Sequence, residues 1–243
     1  MRGPAAEGHP EDSARVVTNA EVDGIDGTVV VVDVLRAFTT AAYAFGAGAS
    51  EIWLVAGVGE ALQLAAALGG AVAMGEDGGR RPPGFDLPNS PVAASLADLD
   101  GRVVVQRTSA GTQGVVRARA ADRLFAASLV CASATARAVA AAGLGPPTYV
   151  ITGRRVDVAD RRGEDDQLTA ALIERARTGA SIDAEATATA VRSSPEAART
   201  LAVGDGHVHP DDIEYSVDVD RFDFAMEVSR EALGLRLRPV RHG

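Results

Sequence analysis

The chain has 243 residues, of which 47% are apolar, 24 basic and 33 acidic, for a formal net charge of −9. Such a length and apolar share support a large core, and the acidic balance excludes a general nucleic-acid or anionic-membrane binder. Apart from histidine, every basic side chain is arginine, so a Schiff-base lysine and a Walker-type phosphate lysine are excluded too.

Residues 1–15 are polar and contain Pro and Gly but no apolar h-region; they read as a disordered tail, not a signal peptide. The run TVVVVD (28–33) reads as a strand covered on both faces, ending in Asp33. A helix is expected over 37–46, a strand over 51–55, a helix over 58–68 and a strand over 71–75. Ser90 and Pro91 form an N-cap and N1 pair that should open a short helix. Further strands are expected at 103–106, 122–128 and 148–152, with helices at 112–120 and 133–142 between them. Helices are expected again over 164–178, 183–201 and 209–217. The closing FDFAMEV and LRLRPVR segments read as edge strands or as a tail packed over the sheet. Strand–helix alternation implies an α/β fold, a three-layer α/β/α sandwich with a mainly parallel or mixed sheet, in a single domain over 16–243. No apolar run is long enough to span a bilayer, so a soluble, cytoplasmic protein without membrane or nucleic-acid partners is expected.

The stretch GEDGGRRPPGFDLPNSP (75–91) carries four glycines, four prolines, three acids and two arginines in 17 residues. Such a composition cannot form a regular element interior, and a long irregular loop in a compact domain is more often functional than not. Its Glu76, Asp77, Arg80, Arg81, Asp86, Asn89 and Ser90 could hold a metal ion beside an oxyanion, or simply form a solvated Ω-loop.

Three other polar groups fall beyond the carboxyl ends of expected strands, where ligands sit in open parallel sheets. Asp33, with Arg36, Thr39 and Thr40, could bind Mg²⁺ or act as a base or nucleophile; equally, Asp33 could cap the next helix and pair with Arg36. The QRTSAGTQG turn (106–114) could cradle an anion on its backbone amides, with a fork from Arg107, or be an ordinary βα turn capped by Thr112. Glu164, Asp165 and Asp166 open a helix with an apolar face at Leu168, Ala171, Leu172 and Ala176. They suit its dipole, yet three adjacent carboxylates repel one another unless a cation lies among them. Elsewhere, the H-x-H pair His207 and His209 reads as surface loop more readily than as a metal site. The lone Cys131 reads as a small core residue and excludes a disulfide framework.

In order and content these motifs resemble the 2-phosphosulfolactate phosphatase (ComB-like) family: VVVVDVLRAFTT (29–40), GEDGGRRPPGFDLPNSP (75–91), RTSAGTQG (107–114), GEDD (163–166) and DDIEYSVDVD (211–220). The resemblance covers roughly residues 28–230, with GFD-x-x-NSP its most specific element. It implies an α/β/α enzyme that uses Mg²⁺ to hydrolyse 2-phospho-3-sulfolactate to sulfolactate and phosphate, a step of coenzyme M biosynthesis. By motif it implies an acidic centre of Asp33, Glu76, Asp86, Glu164 and Asp165 as metal ligands, with Asp33, Glu164 and Asp165 catalytic. Arg36, Asn89, Ser90, Arg107, Ser109, Gly111 and Thr112 would then hold the small anionic phosphorylated substrate. Family members usually show T-N-G-T where Ser109–Thr112 stand, and a Cys-Ala-Gly run where Gln167–Ala170 stand. These departures leave room for another small phosphate ester, or for an anion-binding or regulatory protein on the same fold. An aspartyl-phosphate route of the haloacid dehalogenase kind needs D-x-D after the first strand, and position 35 is Leu. A homodimer stays open as the assembly.

Overall fold

A computed structural model describes residues 13–153, 162–204 and 206–242. Ten strands and nine α-helices occur among them: β1 (Arg15–Thr18), β2 (Thr28–Val32), α1 (Ala37–Gly46), β3 (Glu51–Leu54), α2 (Val58–Ala67), β4 (Val72–Gly75), β5 (Leu87–Pro88), α3 (Pro91–Leu96), β6 (Val103–Arg107), α4 (Gly111–Arg117), β7 (Arg123–Ala127), α5 (Ala132–Ala142), β8 (Thr148–Ile151), α6 (Glu164–Arg177), α7 (Ala184–Arg192), α8 (Pro195–Leu201), α9 (Asp212–Ser216), β9 (Ala225–Glu231) and β10 (Gly234–Val240). The expected tail lies outside the described residues as far as residue 12, and from Arg15 the chain is already strand.

All strands join one sheet in the order β1-β8-β2-β7-β9-β10-β3-β6-β4-β5. Strands β1, β8, β2 and β7 run parallel, as do β3, β6, β4 and β5. The β9–β10 hairpin joins these halves by antiparallel pairing on both sides. The last two segments therefore stand at the centre of the sheet, which corrects their reading as edge strands or tail. Buried Ala225, Met226, Val228 and Leu237 anchor them there, and charge adds to it. Glu227 of β9 pairs with Arg123 of β7 at 2.6 Å, and Glu51 of β3 pairs with Arg238 and Arg236 of β10. Such cross-strand pairs reinforce the register that the buried side chains set.

Alternation along each strand assigns its side chains to layers. Val29 and Val31 of β2, Ile52 and Leu54 of β3, Val72 and Met74 of β4, and Met226 of β9 meet one core built around α1. Helix α1 is buried at every position from Ala37 to Phe45, Thr39 and Thr40 included, so it is a core helix with no solvent face along that stretch. On the opposite face, Val30 and Val32 meet α5 and α6, while Trp53, Ala73 and Val105 meet α2. The result is an α/β/α arrangement whose sheet wraps around α1.

The wrap matters because hairpin insertion makes the two halves run in opposite local directions. A flat sheet would put their carboxyl ends on opposite edges. Between β2 and β4 lie six strand-to-strand steps. At about 20–25° of twist per step the accumulated rotation is roughly 120–150°, which turns those ends back toward one another.

The expected helix over 183–201 is two helices. Ser194 accepts the Ala197 N–H at 3.2 Å and Pro195 takes N1, so α8 starts afresh. The loop after β4 is also more ordered than its composition suggests. Asp77 and Arg80 pair across Gly78 and Gly79, whose φ values of 59° and 84° are those of a two-residue hairpin turn.

Gly75 closes β4 at φ 138°, and a Cβ there would fall 1.9 Å from the Arg107 carbonyl oxygen. Gly75→Ala should therefore destabilise the fold by about 3 kcal/mol or more, combining backbone strain with overpacking. Urea unfolding followed by circular dichroism would show this as a lower midpoint with an unchanged slope.

Candidate active site

Four strand ends, two from each half-sheet, meet at one cavity of about 240 Å³. Asp33 follows β2, Glu76 follows β4, Ser109 and Ala110 follow β6, and Thr152 and Gly153 follow β8. Helix α6 adds Asp165 and Asp166 from its first turn, and α8 adds Glu196 and Arg199. Arg36 and Asn89 complete the polar wall.

Each carboxylate is held differently. Asp33 accepts the Ala37 N–H at 2.8 Å and the Thr152 hydroxyl at 3.1 Å, so it does cap α1. Asp166 accepts the Val34 N–H at 2.9 Å and the Gly153 N–H at 2.8 Å, and its second oxygen lies 3.3 Å from the same Thr152 hydroxyl. One hydroxyl proton cannot satisfy both, so Thr152 is shared between Asp33 and Asp166. Asp165 is buried and its Oδ1 has no partner. Glu196 accepts the Gly163 N–H at 3.0 Å and pairs with Arg199 at 2.6 Å, yet its Oε2 is likewise buried without a partner.

Burial is the main cause that pushes the Asp33 carboxyl up to about 6 and Asp165 up to about 8. Asp166 is raised well above the usual carboxylate range, again mainly by burial, with Asp165 and Asp33 adding repulsion. Three acids deprived of water and facing one another hold protons at pH values where exposed ones have lost them.

Other predicted residues fall elsewhere. Glu164 is only half-buried and Asp86 is exposed; neither lines the cavity, and Asp86 instead accepts the Ala73 N–H at 2.8 Å to close the β4–β5 pairing. The expected apolar face of α6 is also displaced. Its buried stripe is Asp165, Asp166, Thr169, Ala170, Leu172 and Ile173, while Ala171 is exposed. Asp166 was visible as the next position on that stripe.

The turn after β6 does cradle anions, but they are the protein's own. Ser109 gives its N–H and its hydroxyl to Glu76, and Gly79 adds an N–H at 2.6 Å. The Thr112 N–H goes to Thr108 Oγ1 at 3.0 Å. Gly111 lies against the first acid: a Cβ there would sit 2.8 Å from Asp33 Oδ2. Arg107 reaches Ala56, Glu76 and Asp77, and it lines no part of the cavity.

Arg36 does not pair with Asp33. Its Nη1 meets Asp212 at 2.5 Å, both side chains being buried, and reaches the His207 carbonyl at 3.2 Å. Asp212 also accepts the Ser90 hydroxyl at 2.5 Å and the His209 N–H at 2.9 Å. Ser90 thus caps α3 and braces Asp212 rather than facing the cavity. His207 accepts the Arg81 N–H on Nδ1, which docks the H-x-H segment on the Gly/Pro loop. Asp212, Glu196 and Arg199 escaped the reading by residue type. Asp212 lay inside the late acidic motif without a role, and Glu196 looked like an ordinary first-turn acid.

A family model described as 2-phosphosulpholactate phosphatase matches residues 15–230. The chain belongs to this family. Among curated relatives, a probable 2-phosphosulfolactate phosphatase of Carboxydothermus hydrogenoformans is 43% identical over 111 residues, 46% of each chain. One from Thermus thermophilus is 38% identical over 146 residues, 60% of this chain and 59% of that protein. The Bacillus subtilis relative is 38% identical over 110 residues, 45% of this chain and 48% of its own. The chain thus matches about half the length of these relatives. The family match spans Asp33, Glu76, Asp165, Asp166, Glu196, Arg199 and Asp212, so the whole cavity wall lies within it. No helix of the described residues is long and apolar enough to cross a membrane.

An unfolded chain loses its Asp protons near the ordinary value of 3.8, whereas the fold keeps them to about 6 at Asp33 and about 8 at Asp165. The metal-free protein should therefore lose stability as pH rises from about 4 to about 8. Asp165→Asn should flatten that loss and raise the melting temperature at pH 8, measured by differential scanning fluorimetry in EDTA.

Proposed function

We propose that the protein is a Mg²⁺-dependent phosphatase acting on a small anionic phosphate monoester, with 2-phospho-3-sulfolactate the best candidate. The name of the family model and those of its relatives support that choice of substrate. The observation behind the cation is the make-up of the wall: five carboxylates face the cavity against two guanidinium groups, among the described residues. In their ionised forms these carboxylates would repel a phosphate dianion, and a cation that displaced their protons would remove that repulsion.

The donor set fits Mg²⁺, which takes oxygen ligands and prefers carboxylates. Asp165 Oδ1 and Glu196 Oε2 are buried oxygens that no donor satisfies, a state that is costly unless a cation binds them. Asp33, Asp165, Asp166 and Glu196 would hold the ion. Among the described residues no three such side chains are already drawn together as a ligand group, so binding would tighten the set. Glu76, with three donors already on its carboxylate, serves instead to fix the Ser109 turn against the loop after β4.

A bound Mg²⁺ would supply charge neutralisation and Lewis-acid polarisation of a phosphoryl oxygen. The protein's part is positioning and electrostatics. Arg36, stiffened by Asp212, presents a guanidinium beside Asp33, where it would hold a phosphoryl oxygen. Asp33 has one oxygen anchored by the Ala37 N–H and the other by a hydroxyl, so its orientation is fixed. It would accept the proton of the attacking water.

Phosphate release from 2-phosphosulfolactate, measured with Mg²⁺ and again in excess EDTA, tests this reading. Turnover should require the ion, and Asp33→Asn should lower kcat by about 100-fold or more. Full activity in EDTA would remove the cation from the scheme. Tight binding of the ester with no phosphate released would point to the anion-binding alternative.

Removing Arg36's partner makes a separate prediction. Asp212→Asn leaves Arg36 buried without its counter-charge, which costs about 3–5 kcal/mol when such a pair is broken. The variant should melt lower and show a raised KM for the ester, read from steady-state kinetics and a thermal melt.

A further inference from the structure

We propose that Arg199 is the specificity-determining residue of the cavity, and that it holds one of the two acidic groups the substrate carries besides its phosphate, the sulfonate or the carboxylate. The inference rests on the phosphatase reading for the placement of the phosphoryl group at Asp33 and Arg36.

Two basic side chains line the cavity among the described residues, and they differ in freedom. Arg36 is 4% exposed and committed through Nη1 to Asp212 and to a backbone carbonyl. It can present only its remaining edge, and that edge is fixed beside Asp33. Arg199 has a side chain 36% exposed and one partner among the described residues, Glu196, reached through Nη2 at 2.6 Å. The Nε and Nη1 groups of Arg199 carry no hydrogen bond among the described residues, so each can give a single bond, and a two-donor fork to a carboxylate or sulfonate opens when Nη2 is released from Glu196.

Position separates the two roles. Arg36 comes from the segment after β2, and Arg199 comes from α8 on the wall that carries Glu196, Thr200 and Val203. The acids Asp33, Asp165 and Asp166 lie in the same cavity between these elements, in electrostatic contact with one another and with Glu196. A ligand with one acidic group on the cation side of Arg36 and a second at the α8 wall would span the site.

Glu196 makes the arrangement responsive. Its buried Oε2 has no donor, and its other oxygen is shared between Gly163 and Arg199. When Arg199 turns to an incoming acid, Glu196 loses its counter-charge and is left to the cation. Binding of the second acid and binding of the cation should then strengthen one another. A ligand without that acid would leave Arg199 on Glu196 and gain nothing from it.

The test uses the full chain with Mg²⁺ and two variants, Arg199→Gln and Arg199→Lys. Isothermal titration with sulfolactate, which has no phosphate, should show binding to the unmodified protein, weakened about 10- to 100-fold in Arg199→Gln. Arg199→Lys should fall between, since it keeps the charge but not the fork. In turnover, the ratio of kcat/KM for 2-phosphosulfolactate to that for p-nitrophenyl phosphate should collapse by a similar factor in Arg199→Gln. Equal sulfolactate affinity in the unmodified and Gln proteins, no binding to either, or an unchanged ratio would overturn the assignment. If no ester is hydrolysed but sulfolactate binds through Arg199, the phosphatase reading falls and this one stands. If esters are hydrolysed with an unchanged ratio, the reverse holds.

Discussion

Repulsion among buried carboxylates is the constraint around which this molecule is organised. Asp33, Asp165 and Asp166 share one small cavity, all three buried, and each is pushed toward its neutral form. A fold selected for stability alone would replace them with apolar side chains. Instead it spends backbone donors on keeping two of them oriented: Ala37 for Asp33, and Val34 and Gly153 for Asp166. Asp165 receives no such help on Oδ1. The asymmetry is itself informative, because the group least satisfied by the protein has the most to gain from a ligand.

The topology follows from the same requirement. Loops after parallel strands can converge only if the strand ends do, and here they come from two half-sheets of opposite local direction. The wrapped sheet reconciles them. It needs a helix slim and apolar enough to fill its hollow, and α1 meets that need with Ala at positions 37, 41, 42 and 44 around Phe38 and Phe45. These small residues let the sheet close around the helix and bring Asp33 within reach of the Glu76 loop. The inserted β9–β10 hairpin sets how far the sheet turns, which ties the last strands of the chain to a site made by the first.

Much of this was legible in the sequence because local physics decided it. Strands expected at 28–33 and 103–106, the Ser90–Pro91 helix start and the α1 segment 37–46 appear where periodicity and capping place them. The central position of β9 and β10 was not legible, since strand order depends on pairing between segments far apart in the chain. Site residues divided in the same way. Asp33, Glu76, Asn89 and Asp165 stand at the cavity because strand ends and first turns place them there. Glu196 and Arg199 were hidden because a Ser-Pro break inside an expected long helix re-aims that segment. Glycine and hydroxyl residues of the 107–112 turn looked like an anion cradle, and they are one. Residue type could not say that Glu76 and Asp33 already fill it.

Electrostatic logic links the proposed cation to selectivity. A cavity with more carboxylates than guanidinium groups repels the anion it is proposed to bind, and like charges in close contact cost several kcal/mol. Without the cation, cellular phosphate esters would be turned away along with any intended ligand. With it, the balance near Asp33 reverses sign locally, while the α8 wall still offers Glu196 alongside Arg199. A simple monoester then meets attraction at one end and a self-paired wall at the other. A two-acid ester meets attraction at both, because it displaces Glu196 from Arg199 and leaves that carboxylate to the ion. The unsatisfied acids that destabilise the empty fold would thus also discriminate between ligands, so discrimination and instability have a common source.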